Sequence, residues 1–127
     1  MSCKIPEALF VQVNQNNHVP IGTYWTRTIS VKVDGVARVY DSITLSGCIK
    51  AKDENNDLLE ISLTEQVDDT TTGIVKSSES WDLNLNVATT SSVKAGIYDF
   101  TVLGTPADGK TYVELTGKIQ FLEIENC

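Results

Sequence analysis

Apolar and polar residues alternate with a period of two over most of this chain, and no other feature restricts the fold as much. From Ile43 to Ala51 every second residue is apolar or glycine, and the stretch from Trp81 to Val87 repeats the pattern. Successive side chains of a β-strand point to opposite faces, so such a stretch offers one face to a core and one to water. No stretch of the sequence has an apolar stripe with helical spacing that fits better than this two-residue period. The sequence therefore predicts an all-β protein with almost no helix.

The clearest single element is a β-hairpin within residues 93–124. Its two apolar-rich strands flank a turn at residues 105–110, where Pro106 fixes φ and Gly109 can adopt a positive φ. In the returning strand, one parity is apolar and is expected to face the core: Val113, Leu115, Ile119 and Phe121. The other parity is expected to face water: Glu114, Thr116, Lys118 and Gln120.

Further alternating runs occur at residues 8–13, 23–33 and 58–64, and polar turns separate them. They bring the predicted number of strands to about seven to nine, which is typical of a sandwich or barrel. We predict an antiparallel immunoglobulin-like β-sandwich that forms a single domain. Residues 1–22 are expected to form an N-terminal arm with the first strand, ending in a polar loop, and residues 23–127 are expected to form the sandwich.

Four residues are predicted to have structural roles. Tyr98 follows the connection 88–94 and Gly96, a sequence that resembles the corner between the sheets of immunoglobulin-like domains. In such a corner the tyrosine hydroxyl bonds back to upstream backbone, although Tyr98 could also be an ordinary strand residue. Trp81 lies on the apolar parity of its strand and is expected in the core. Gly109 is the turn residue of the hairpin.

Composition and cysteine content disfavour several classes of partner and site. Ten basic and seventeen acidic residues give a formal net charge of −7, which repels phosphate backbones and anionic lipid headgroups. We therefore expect neither nucleic acid nor membrane as a partner. Cys3, Cys48 and Cys127 are widely spaced and odd in number, which predicts neither a disulfide framework nor a zinc site. Residues 1–7 have no apolar leader core, so we expect synthesis and retention in a reducing cytoplasm.

No residue pattern predicts catalysis, a metal or a cofactor. His18 is the only histidine, and it falls in a predicted polar loop without a serine elbow beside it. Four carboxylates are better explained as turn residues than as a glycosidase pair: Asp53, Asp57, Asp68 and Asp69. Calcium binding by loop 53–57 stays open, although the loop lacks the glycine and closing glutamate of the EF-hand. An aromatic platform for sugar or peptide, built from Tyr24, Trp25, Tyr40 and Trp81, is a second alternative, although both tryptophans lie on the apolar parity of their strands.

Three stretches carry a resemblance to known proteins. They are residues 41–53 (DSITLSG followed by IKAKD), residues 72–75 (TGIV) and residues 94–119, which contain KAGIY, DGK and LTGKI. In order and spacing they resemble small immunoglobulin-like bacteriophage virion proteins and the N-terminal domains of phage baseplate or receptor-binding-protein adaptors. Residues 1–22 do not match this family closely.

This resemblance implies a non-catalytic structural protein of the virion, assembled in the cytoplasm of the host bacterium. A tail, collar or baseplate adaptor is the favoured hypothesis, and a capsid decoration protein is the alternative. The implied partners are other virion proteins, contacted by several copies in a symmetric assembly. A module that binds glycan or peptide on a cell surface is a further alternative.

Overall fold

A computed structural model describes residues 17–123, in which ten β-strands and one short helix make up the regular structure. The elements are β1 (Asn17–Pro20), β2 (Trp25–Ile29), β3 (Lys32–Val33), β4 (Val36–Ala37), β5 (Thr44–Lys52), β6 (Leu58–Thr64), β7 (Gly73–Lys76), β8 (Trp81–Leu85), α1 (Val87–Ser91), β9 (Gly96–Thr105) and β10 (Tyr112–Leu122). The predicted all-β class is confirmed. The described strands outnumber the predicted seven to nine because β1 was not predicted and because the alternating run at residues 23–33 is divided into β2 and β3. The strand predicted at residues 8–13 lies outside the described residues.

The strands are distributed over three sheets. A five-stranded sheet has the order β1-β10-β9-β5-β6, a three-stranded sheet the order β2-β8-β7, and β3 pairs with β4 alone. Within the described residues the ladders are antiparallel, apart from the parallel ladder between β1 and β10. Helix α1 lies in the connection from β8 to β9, where Asn86 caps it by accepting a hydrogen bond from the Thr89 amide at 2.9 Å.

Strand β1 corrects the sequence prediction for residues 14–22, which were expected to form a polar loop. Asn17–Pro20 instead pair in register with residues 119–122 of β10, and the Val19 side chain is completely buried. The sequence conceals this strand because Val19 stands alone between polar residues and a proline. A single apolar residue shows no period, and the pairing partner is about a hundred residues away in sequence.

One hydrophobic core is shared by the two larger sheets. The five-stranded sheet contributes the buried residues Val19, Leu45, Ile49, Leu63, Tyr98, Phe100, Val102, Ile119 and Phe121. The three-stranded sheet contributes Ile74, Trp81, Leu83 and Leu85, and the segment between β4 and β5 adds Tyr40 and Ile43. Trp81 is fully buried, and the Tyr98 ring meets the Phe121 ring edge-on at 5.0 Å between centroids. The apolar parities read from the sequence thus face inward in β5 and β8.

The hairpin of β9 and β10 has the predicted turn. Gly109 adopts a φ of +78°, and its N–H donates to the Pro106 carbonyl at 2.9 Å. A second turn follows β3, where Asp34 and Gly35 both have positive φ, as a two-residue hairpin loop of type I′ requires. Because this small hairpin pairs with neither of the larger sheets, Val33 is 56% exposed rather than on a buried face as the sequence suggested.

A β-bulge in β10 changes which face its first residues present. Val113 pairs with Leu103, but Leu115 pairs with Val102, so one extra residue, Glu114, is inserted between them. From Leu115 onward the odd-numbered residues face the core as predicted, whereas Val113 is 59% exposed and the Glu114 side chain is almost completely buried. The predicted core position of Val113 and the predicted solvent position of Glu114 are therefore wrong.

The bulge predicts a sharp contrast between two substitutions in the same strand. Ile119→Ala should lower the free energy of unfolding by about 2–5 kcal/mol, because it leaves a cavity in the core. Val113→Ala should change the free energy of unfolding by less than about 0.5 kcal/mol, because Val113 faces water. Urea unfolding of both variants measures this. Similar losses for the two would mean that the strand continues without a bulge.

Candidate functional site

A buried carboxylate lies at the bulge of β10, and three side chains surround it. The Arg38 Nε donates to Glu114 Oε1 at 2.9 Å, and the Tyr112 hydroxyl donates to the same oxygen at 2.8 Å. The Tyr40 hydroxyl donates to Glu114 Oε2 at 3.1 Å. The Glu114 side chain is only 3% exposed, and the Arg38 side chain is 28% exposed. We call these four residues the Glu114 cluster.

The backbone around the cluster positions each member. Arg38 follows β4, and its N–H donates to the Val31 carbonyl at 2.8 Å. The guanidinium also contacts the Tyr112 hydroxyl and lies 4.9 Å from the centroid of the Tyr112 ring, a cation–π geometry. Gly104, which pairs with Tyr112, leaves room for that ring, since a Cβ at Gly104 would lie 2.7 Å from the phenol. The cluster thereby joins the small β3–β4 hairpin to the five-stranded sheet.

The surroundings of the cluster change the protonation of its members. Burial raises the pKa of Tyr40 and that of Tyr112 above the ordinary value of 10.0, and the carboxylate of Glu114 raises both further. Burial acts to lower the pKa of Arg38, but hydrogen bonding to Tyr112 and the charge of Glu114 raise it overall. Both oxygens of Glu114 accept hydrogen bonds, so the carboxylate links β10 to Arg38 and Tyr40.

The loop 53–57, considered for calcium binding, uses its carboxylate within the protein. Asp53 Oδ1 accepts hydrogen bonds from the amides of Asn55 and Asp57, both at 2.9 Å, and Oδ2 lies 3.3 Å from Lys94 Nζ. The amide of Asp57, followed by the other donors, holds the pKa of Asp53 below its ordinary value. Between residues 17 and 123, no three His, Cys, Asp or Glu side chains come close enough to hold a metal ion.

Tyr98, Gly96 and Lys94 lie together at the start of β9. The Tyr98 hydroxyl donates to the Lys94 carbonyl at 3.0 Å, which is the backward bond expected of a corner tyrosine. Gly96 has a φ of +150°, a conformation that side chains disfavour, as the chain enters the strand. Burial raises the pKa of Tyr98, with a smaller opposing effect from its hydrogen bond to Lys94.

Two of the cavities in the described part of the chain open beside the core. The larger, of about 630 Å³, lies between β6 and the α1 connection and is lined by Leu58, Leu59, Ile61, Val93 and the polar Asn86 and Lys94, among others. The second, of about 310 Å³, lies between β2 and β10. Trp25 lines this second cavity and is half-buried, whereas Trp81 is fully enclosed. Of the two tryptophans, Trp25 is therefore the one that a ligand could contact.

Two buried polar side chains were not expected from the sequence. His18, predicted in an exposed loop, lies in β1 opposite Gln120 of β10 and is 8% exposed. Asn84 lies on the polar parity of β8 but is completely buried, and its Oδ1 accepts hydrogen bonds from Tyr24 and Thr26.

Comparison with known proteins adds no relative: no protein-family model matches the chain, and no curated protein is significantly similar to it. Among residues 17–123, no helix is both long enough and apolar enough to cross a bilayer. A functional proposal therefore has to rest on the structure itself, namely on the Glu114 cluster, these two cavities and the sheet edges.

The Glu114 cluster predicts a loss of stability in alkali. A tyrosine whose pKa is raised by folding stabilises the folded state fully below its unfolded pKa, and that stabilisation is lost as the pH rises through the folded pKa. We therefore expect the free energy of unfolding to fall above about pH 10. The double variant Tyr40→Phe, Tyr112→Phe should show a shallower fall, measured by urea unfolding between neutral and alkaline pH. An equally steep fall in this variant would contradict the assignment.

Proposed function

We propose that this protein is a non-catalytic structural protein of a bacteriophage virion, a tail, collar or baseplate adaptor that docks onto neighbouring virion proteins. The observation that best supports docking is that β6, a strand of seven residues at one edge of the five-stranded sheet, pairs only with β5 among the described residues. An unpaired strand edge presents backbone donors and acceptors that another chain can pair with. The resemblance of residues 41–53, 72–75 and 94–119 to phage virion proteins supplies the class of partner.

Within this proposal the fold is an immunoglobulin-like β-sandwich. Support comes from the core that the five-stranded and three-stranded sheets share and from the backward hydrogen bond of Tyr98 to the Lys94 carbonyl. The parallel pairing of β1 with β10 at one edge of the larger sheet is compatible with such a domain, because it adds a strand without changing the remaining antiparallel order.

The use of charge in the structure also supports a non-catalytic role. The carboxylates of Glu114 and Asp53 accept hydrogen bonds from neighbouring donors and hold loops in place. The net charge of −7 disfavours nucleic acid as a partner and is suited to a particle protein that must stay dispersed before assembly. In a symmetric assembly, weak contacts of many copies add up to stable attachment. A capsid decoration protein would use the same edges and remains the alternative location.

A second candidate function is recognition of a glycan or peptide. The half-buried Trp25 beside a cavity of about 310 Å³ favours it, because an aromatic face next to an open cavity is a common sugar-binding arrangement. The Glu114 cluster and the fully buried Trp81 would have no part in that function.

Quantitative mass spectrometry of purified phage particles tests the proposal. We expect the protein in a fixed ratio to the major capsid protein, and a particle reconstruction then places those copies at the tail or on the head. Absence of the protein from purified particles would contradict the proposal, and quenching of Trp25 fluorescence by host glycans would then favour the second candidate.

A further inference from the structure

Strand β10 has a neighbour on both sides over only part of its length. Strand β9 pairs with residues 112–121 of β10 on one side, whereas β1 pairs with residues 119–122 on the other. No described strand lies on that second side of residues 115–117. The backbone groups along a strand edge of this kind are donors and acceptors that another extended segment can pair with.

The cavity of about 310 Å³ between β2 and β10 runs along the same edge. Residues 115–118 border it on one side, and apolar side chains of both sheets line it: Trp25, Ile29, Leu83, Phe100 and Leu115. Leu83 and Phe100 belong to the buried core, and the other three are partly buried against it. The shared core therefore opens sideways at this place, and a segment that fills the opening is stabilised by burial of apolar surface.

Strand β1 approaches this opening from one end. It runs parallel to β10, with Asn17 opposite Ile119 and Val19 opposite Phe121. If the ladder continues, the chain before Asn17 meets residues 118, 117, 116 and 115 of β10 in turn, because a parallel ladder advances by one residue on each strand at a time. Val19 is completely buried, so the odd-numbered residues of this segment face the core.

We propose that residues 13–16, which lie outside the described part of the chain, extend β1 along β10 and close the cavity. In this register Val13 lies opposite Leu115, and its side chain enters the cavity. Gln15 also points inward, but the residue opposite it is Gly117, which has no side chain to compete for the space. The even-numbered residues of the segment face water.

The connection to β1 selects this segment over a separate chain. Asn17 is already paired at the end of the opening, so residue 16 reaches the edge without a linker. A directly attached segment has a far higher effective concentration at the edge than the same segment of a second copy.

This inference goes beyond the proposed function and does not depend on it. With the cavity closed, Trp25 is not accessible to a glycan, so the second candidate function loses its site. The β6 edge, on the opposite side of the five-stranded sheet, is not affected.

Two cysteine pairs test the register in the full chain with its three native cysteines replaced by serine. Asn14→Cys with Thr116→Cys places the thiols on directly opposite residues of strands about 4.8 Å apart, a separation that a disulfide can bridge. Asn14→Cys with Thr101→Cys is the control, because Thr101 pairs with Thr116 from β9 and is one strand further away. Under the same mild oxidant, the first pair should form an intramolecular disulfide at least about tenfold faster, measured on non-reducing gels.

A charge at residue 13 tests the filling of the cavity. Val13→Asp places a carboxylate in an apolar space and should displace the segment, which raises acrylamide quenching of Trp25 fluorescence about twofold. Asn14→Asp adds the same charge on the parity that faces water and should leave the quenching unchanged. Trp81 is fully buried and contributes the same background to both variants. Thermal unfolding confirms that each variant folds.

Three outcomes would overturn the proposal. They are equal rates of disulfide formation for the two cysteine pairs, equal quenching in Val13→Asp and Asn14→Asp, and a disulfide of the first pair that joins two chains. The last outcome would assign the edge of β10 to the segment of a second copy.

Discussion

The burial of one alternating face from each of two sheets in a common core is the constraint on which the rest of the structure depends. Trp81 and Leu83 from the three-stranded sheet and Phe100 and Ile119 from the five-stranded sheet belong to the same buried cluster. Each fully buried side chain of this size contributes about 1.5–3 kcal/mol relative to exposure to water. Neither sheet has another partner for its apolar face among the described residues, so each sheet depends on the other for stability.

The Glu114 cluster attaches a hairpin that the shared core does not hold. The β3–β4 hairpin belongs to neither large sheet and exposes Val33 and Val36, so apolar burial does little to hold it. The bulge in β10 turns the Glu114 side chain inward. There Arg38, the residue after β4, neutralises its charge, and two tyrosine hydroxyls donate hydrogen bonds to it. A buried ion pair of this kind adds specificity of position more than stability, because removing its charges from water is costly.

The sequence predicted the all-β class and the core parities of β5 and β8 from side-chain alternation, and the hairpin turn from Pro106 and Gly109, because all of these are local features. It did not predict the position of Val113. A one-residue bulge cannot be recognised from the residue types of a strand, and the residues that precede the bulge point to the face opposite to the one that the alternation predicts. It also missed the burial of His18 and Glu114. Both depend on partners distant in sequence, namely β10 for the histidine and Arg38 for the carboxylate.

The proposed role as a docking protein rests on the strand edges that lie outside the core. Strands β5, β9 and β10 have a neighbour on each side within their sheet, whereas β6 is an edge strand of seven residues that pairs only with β5 among the described residues. Polar contacts such as those of Asp53 and Glu114 hold loops in place. Attachment to other chains through backbone pairing is therefore the role that we propose for this protein.

Interdependence of the two sheets is tested most directly by following urea unfolding with two probes. Trp25 and Trp81 both belong to the three-stranded sheet, so tryptophan fluorescence reports on it, whereas far-UV circular dichroism is dominated by the longer strands of the five-stranded sheet. A shared core predicts that the two transitions coincide in midpoint and slope. Separate transitions, with fluorescence changing while most of the circular dichroism signal remains, would contradict the shared core.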